Sequence, residues 1–217
     1  MISKIDCLST MLNSLASTSE DRSLLGGTLT TLEDKYALNQ KVIQEPGLEE
    51  IMKQFLGRIF QAFGTLAMLR GQHILDIASG SNTTKAPSSV YVHTPFGEQH
   101  ISIPHTEGYS AQFEPWFCRI LLTLGADPVG IDLGNLDGEI FEHYHIDLGL
   151  PGGLDFLPDH SFDAVQDSRL FGSPEFTVQF PNQKDRLKVA AEIWGQEQRV
   201  LKSKGIVIHS DAVSLLS

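Results

Sequence analysis

The sequence predicts an α/β fold, doubly wound around a mostly parallel sheet of about five core strands, with a helical extension ahead of it. Three observations predict this. Short apolar runs rich in Ile, Val and Ala recur after Gly71, at His73–Ala78, Pro128–Asp132, Phe162–Gln166 and Gly205–His209. Helix-like segments, Phe113–Leu124 and Leu187–Leu201, stand between them. Residues 1–70 read as helical throughout.

Within the extension, Thr30 and Glu33 have capping-box spacing, which predicts a short polar helix over roughly Leu32 to Gln44. Pro46 then precedes the strongest helical stripe in the chain. Leu48, Ile51, Met52, Phe55, Leu56, Ile59, Phe60, Phe63 and Leu66 recur at intervals of three and four. Such a stripe is a buried face.

The four apolar runs lack the in–out alternation of a half-exposed sheet. Each ends in polar residues or Gly, as strands buried on both faces of a parallel sheet do. A weaker fifth run, Tyr144–Asp147, lies between the second and third. About ten residues separate it from the second strand, so a helix between them is very short or missing. Val90 and Val92 alternate on one side of Pro95–Gly97, and Ile101 and Ile103 on the other. This predicts a β-hairpin at 88–104 inserted in the first strand-to-helix connection. The expected division is a helical extension over 1–70 and one sheet domain over 71–217.

A chain of 217 residues with 41% hydrophobic content buries about 70% of its unfolded surface and needs no covalent staples. Cys7 and Cys118 match no disulfide framework or metal spacing, which fits a reducing compartment. The first twenty residues hold no signal-peptide core, and no run of about 18 apolar residues occurs. A cytoplasmic protein without a membrane span is expected. The net charge of −11 and the scattered basic residues make nucleic acid an unfavoured partner.

The chemistry gathers at the carboxyl ends of the strands, where open parallel sheets bind ligands. The first run, HILDIASGSN, ends in Asp76 and then small residues, with Gly80 where the backbone turns. The second ends in Gly130-Ile-Asp-Leu133, and an acid there can accept both vicinal hydroxyls of a ribose. The third is Ile146-Asp147-Leu148, again a carboxylate at a strand end.

In this order the segments ILDIASGSN, PVGIDLG, HIDLGL, LDFLPDHSFDAVQDSRLF and EIWGQEQRVLKSKGIVIHS resemble the class I S-adenosylmethionine-dependent methyltransferases. The resemblance covers about residues 71–213. It implies a Rossmann-like domain, S-adenosylmethionine as cofactor and methyl transfer as activity. It places Asp76, Ser79, Gly80 and Asn82 along the methionine moiety, Asp132 at the ribose and Leu133 against the adenine. Asp147 would receive the adenine amino group, with Leu148 packed beside it. Gln166, Asp167 and Ser168 would border the sulfonium. The sequence departs from the family in three respects. It has one glycine in the first motif, the inserted hairpin follows that motif, and the sequence ends at Ser217, just past the fifth strand. The family's two further strands do not fit, which leaves an edge open to an oligomer contact or to cover by the N-terminal helices.

No catalytic residue is assigned. The tetrapeptide Asn-Pro-Pro-Tyr of base-directed amino methylators is absent after the fourth strand, so the expected acceptor is a small molecule or a protein side chain. His209 is a candidate base by position, and Tyr109 and Trp116 are candidate pocket walls. The histidines His93, His100, His105, His143 and His145 supply no three-ligand spacing, so no metal is expected. The main alternative is a cofactor-binding or degenerate methyltransferase-like protein that acts by interaction. An aminopropyl transferase is a lesser one, because Leu170 replaces the second acid of that family's loop. A nicotinamide-nucleotide oxidoreductase is disfavoured, since no G-x-G-x-x-G follows the first strand.

Overall fold

The computed structural model describes residues 12, 14–81, 89–94, 97–102, 110–167, 170–171 and 173–208. Three helices come first: α1 (Ser19–Tyr36), α2 (Leu38–Gln44) and α3 (Gly47–Phe63). The capping box expected at Thr30 is not used. Thr30 lies inside α1, and its hydroxyl donates to the Gly26 carbonyl at 3.0 Å. The cap is Thr18, whose Oγ1 accepts the Asp21 N–H at 3.0 Å. The expected Leu32–Gln44 helix is therefore two helices, broken where Ala37 takes φ 52°. Glu33 does cap, but it caps the next helix, accepting the Asn39 N–H at 2.7 Å. Buried Asp21 also accepts the Leu66 N–H at 2.8 Å, which ties α1 to the 3-10 turn Leu66–Leu69.

The sheet chain then follows. Its elements are β1 (His73–Ile77), β2 (Ser89–Thr94), β3 (Gly97–Ser102), α4 (Trp116–Thr123), β4 (Asp127–Asp132) and β5 (Glu142–His145). Next come β6 (Phe162–Gln166), α5 (Pro174–Gln179), α6 (Gln183–Val200) and β7 (Leu201–Ile208). Strands β2 and β3 pair antiparallel as a separate two-stranded sheet. The other five form one all-parallel sheet in the order β5-β4-β1-β6-β7. Numbered among themselves, these five read 3-2-1-4-5. The strand order thus reverses between β1 and β6, and the fold is Rossmann-like α/β.

The two sheet faces are covered differently. Ile74, Ala164 and Ile208 point to a core filled by Leu48, Met52, Leu56 and Ile59 of α3 and by Trp116 and Phe117 of α4. The N-terminal helices therefore share one core with the sheet, and α3 packs beside β7. Leu75, Ile77, Val129, Ile131 and Val165 point the other way, to Ala190 and Ile193 of α6 and to Phe176 and Phe180. No helix stands between β4 and β5, and turns replace a helix between β5 and β6. The segment α5 and the turns at 147–157 take up part of that second face.

Several elements differ from the sequence reading, among them β5, which covers Glu142–His145 rather than Tyr144–Asp147, and α6, which starts at Gln183 rather than Leu187. Strand β7 begins at Leu201 rather than Gly205, because its ladder with β6 is irregular between Phe162 and Ala164. Polar Lys202, Ser203 and Lys204 occupy that irregular stretch, so the apolar pattern resumes only afterwards. Helix α5 has no long apolar stripe to announce it; its start is fixed by Ser173, whose Oγ accepts the Phe176 N–H at 3.0 Å. Among the described residues, no helix is long and apolar enough to cross a membrane.

Candidate functional site

The carboxyl ends of β1, β4 and β5 are adjacent, so three strand-end acids line one edge of the sheet: Asp76, Asp132 and Asp147. Their environments differ.

Asp132 organises the backbone around it. Its Oδ2 accepts the Gly80 N–H at 2.9 Å and its Oδ1 accepts the Gly134 N–H at 2.6 Å. It is half-buried, as are Gly80, Ser81 and Leu133. The loop after β1 is fixed further by Ser79, whose N–H reaches the Ile131 carbonyl at 3.1 Å, and by Ser81, whose N–H reaches the Phe113 carbonyl at 2.8 Å. Gly80 sits at φ +96°, and a Cβ there would lie 2.4 Å from the Phe113 carbonyl oxygen. The glycine is thus required by the protein's own 110–114 segment as well as by the turn expected from sequence.

That segment is anchored to the N-terminal helices by buried ion pairs. The Lys41 ammonium reaches both Glu114 oxygens at 2.7 Å. Arg119 binds Glu114 as well as Glu139, whose two oxygens lie 2.6 and 3.2 Å from its guanidinium. Its guanidinium carbon stands 4.1 Å from the Tyr36 ring centroid and 4.7 Å from that of Trp116. Glu45 accepts the Ala111 N–H at 2.8 Å and the Ser110 hydroxyl at 2.9 Å. Trp116 is fully buried and donates to the Ala111 carbonyl at 2.6 Å. It is a core residue here, not a pocket wall.

Asp76 is buried below the loop. Its oxygens face Cys118 Sγ and Gln166 Nε2, each at 3.4 Å. Burial pushes its carboxyl up to about 7, against the lowering effect of those two contacts. Burial and the neighbouring Asp76 push the Cys118 thiol well above its ordinary value.

Asp147 holds the third position. Its Oδ1 accepts the Gly149 N–H at 2.9 Å, and both its oxygens accept the Gln179 side-chain amide at 3.2 Å. Leu148 is buried beside it and borders a cavity of about 310 Å³. Leu150, Leu154, Val189, Ile193 and Gln196 complete much of that cavity's wall.

Gln166 and Asp167 are consecutive and part company. Gln166 joins Asp76 on the α4 side of the sheet. Asp167 turns to the α6 side and accepts the Trp194 indole N–H at 3.3 Å. Fully buried Glu197 lies near it, and burial, then the Asp167 charge, pushes the Glu197 carboxyl up to about 9.

The structure therefore brings Ser79, Gly80, Asp132 and Leu133 together, and Asp76 with Gln166. It places Asp147 with Leu148 at the far strand, and Asp167 across the sheet from Gln166. Asn82, Ser168, Tyr109 and His209 lie outside the described residues. Sequence reasoning missed Gln179, Cys118, Trp194 and Glu197. A buried Glu in a polar helix gives no pattern, whereas Cys118 falls within an apolar helix opposite β1 and was open to inference.

Comparison with family models, with curated proteins and with solved structures finds no match to this chain.

Proposed function

We propose that this chain binds S-adenosylmethionine across the carboxyl ends of β1, β4 and β5 and transfers its methyl group to a small molecule or a protein side chain. The observation that carries the reading is the trio Asp76, Asp132 and Asp147 at the ends of three adjacent strands of a 3-2-1-4-5 sheet, with a tight glycine turn between the first two. The groups fit the cofactor chemically. Asp132 is a half-buried acceptor beside the turn, suited to ribose hydroxyls. Asp147 already takes an sp² NH₂ donor, the kind of group an adenine amine is. Leu133 and Leu148 supply apolar contact on either side of the base.

When bound, the cofactor supplies a methyl group already activated by its sulfonium. The protein's part is to hold it, align the acceptor and exclude water. Gln166 is the strand-end group nearest in chain position to that reacting centre, and Asp76 orients it from below. The expected location is cytoplasmic. A cofactor-binding or degenerate protein that acts by interaction is the second reading, favoured by the single glycine of the first motif and by the lack of an assigned base.

Calorimetric titration with S-adenosylhomocysteine and, separately, NAD tests the first step. Binding of the former with no heat from the latter supports the reading, and the reverse rejects it. Release of labelled methyl into a panel of small-molecule and protein acceptors then separates the enzyme from the silent binder.

A further inference from the structure

We propose that Gln179 occupies the place an incoming nucleobase amine takes on Asp147, so that α5 is a displaceable strap over the nucleoside end of the crevice. This inference rests on the cofactor reading above and adds a residue to it.

The geometry is specific. The Gln179 carboxamide nitrogen donates to Asp147 Oδ1 and Oδ2, at 3.2 Å each. A carboxamide NH₂ and an adenine amino group are both planar donors of two hydrogens, so they compete for the same acceptor sites. Oδ1 also takes the Gly149 N–H, so two donors already crowd that oxygen. Gln179 is only 3% exposed, although it ends a helix of six residues that follows the β6 end of the sheet. The segment thus reaches from the β6 end of the sheet to the β5 end.

A second, independent feature marks the contact. A Cβ on Gly149 would stand 2.2 Å from Gln179 Nε2 and 2.4 Å from its Cδ. A side chain at 149 would push the Gln179 carboxamide, the end of a flexible side chain, out of this place. The middle of the strap is held by apolar contacts, with Phe176 and Phe180 in the cluster that contains Leu148. Arg186 fixes its far end by donating to the Phe180 and Pro181 carbonyls at 3.1 and 3.3 Å. Non-directional contacts let a short segment shift and reseat, whereas the directional bond to Asp147 sets its closed position. A site closed for part of the time binds more weakly by the fraction that is open.

The test is titration of S-adenosylhomocysteine into the parent and into Gln179→Ala, Gln179→Met and Gly149→Ala. The methionine variant keeps the side-chain volume, and the Gly149 variant displaces the amide without deleting it. All three are expected to bind at least about threefold more tightly than the parent, by removal of the closed state. Hydrogen exchange in the backbone of 174–180 should rise in each variant, and in the parent when the compound is added. If the parent binds and all three variants bind equally or more weakly, the strap is overturned while the cofactor reading stands. If neither the parent nor any variant binds, the cofactor reading fails and the strap with it.

Discussion

The Asp132 carboxylate accepts the backbone N–H of Gly80 at 2.9 Å, joining the end of β4 to the turn that follows β1. With its second oxygen on the Gly134 N–H at 2.6 Å, one side chain sets the shape of two loops at the centre of the sheet edge. The acid is therefore structural in its own right, and the ribose role proposed for it is additional to that.

Replacement of Asp132 by Ala is expected to weaken S-adenosylhomocysteine binding by about 1.5–3 kcal/mol, the scale of hydrogen bonds to a charged acceptor. Asp132→Asn keeps one carbonyl acceptor for a loop N–H and loses the charge, so its binding should fall between the parent and the alanine variant. Circular dichroism alongside calorimetry separates loss of binding from loss of fold. A folded alanine variant with parental affinity rules out the ribose assignment.

Gly80→Ala tests the turn itself. The residue sits at φ +96°, and its added Cβ would meet the Phe113 carbonyl at 2.4 Å. Backbone, not a flexible side-chain end, must then yield. The left-handed region alone costs a non-glycine residue about 1–2 kcal/mol, and the clash adds to it. The expected outcome is a clearly lower midpoint in urea. An unchanged midpoint would show that the 110–114 segment moves freely, against the Lys41 ion pair and the Glu45 hydrogen bonds that anchor it.

The α/β class was legible because buried parallel strands are mainly apolar runs, as His73–Ile77 and Phe162–Gln166 are apart from His73, Asp76, Asp163 and Gln166, whereas β5 is polar and half-exposed and gave only a weaker signal. The acids were legible because Asp132 ends the apolar run of β4 and Asp76 interrupts that of β1, whereas Asp147 follows the polar β5. The break at Ala37 was not, since neither Gly nor Pro marks it and a left-handed alanine is set by its neighbours. Helix α5 was hidden by its length of six residues, too short for a periodic stripe. The Gln179–Asp147 contact spans 32 positions and joins the end of α5 to the turn after β5, so no local pattern encodes it.

Glu197 predicts a pH dependence of stability. Its carboxyl is pushed up to about 9 in the fold, by burial first and by Asp167 second. The ordinary value is about 4.3. Below that value both states hold the proton, and the contribution to stability is complete. As pH rises toward 9 the unfolded chain releases the proton and the folded chain keeps it, so stability falls, by up to about 1.4 kcal/mol per pH unit. Asp76, raised to about 7, acts with the same sign at lower pH. Between about pH 7 and 8.5 Glu197 is the main contributor, with Asp76 levelling off and the raised Cys118 thiol adding the same sign only as the unfolded thiol ionises toward pH 9. Glu197→Gln should flatten the decline there and raise the urea midpoint at pH 8, with little change at pH 4. Parallel declines for parent and variant between pH 7 and 9 would refute the assignment.

The final prediction is that the methyl acceptor is not nucleic acid. The total charge of −11 opposes a phosphate backbone. The basic grouping near the fifth strand is Lys184, Arg186, Lys188, Arg199, Lys202 and Lys204, and much of it is engaged within the fold. Arg199 donates to the Leu154 and Leu157 carbonyls at 2.8 Å and pairs with Asp159 at 2.5 Å. Arg186 is spent on the Phe180 and Pro181 carbonyls, and Lys202 pairs with Asp163 at 2.7 Å. A nucleic-acid enzyme neutralises several phosphates at once and loses affinity steeply with salt. Clamps that close loops and pair acids are not disposed to do so. Gel-shift titration against mixed RNA and duplex DNA at about 50 mM salt should show no complex at micromolar protein, well below the strength of phosphate-driven binding at such salt. A salt-sensitive complex of micromolar affinity or tighter would overturn the prediction. Loss of that complex in Lys184→Glu or Lys188→Glu would then place the nucleic-acid face on α6.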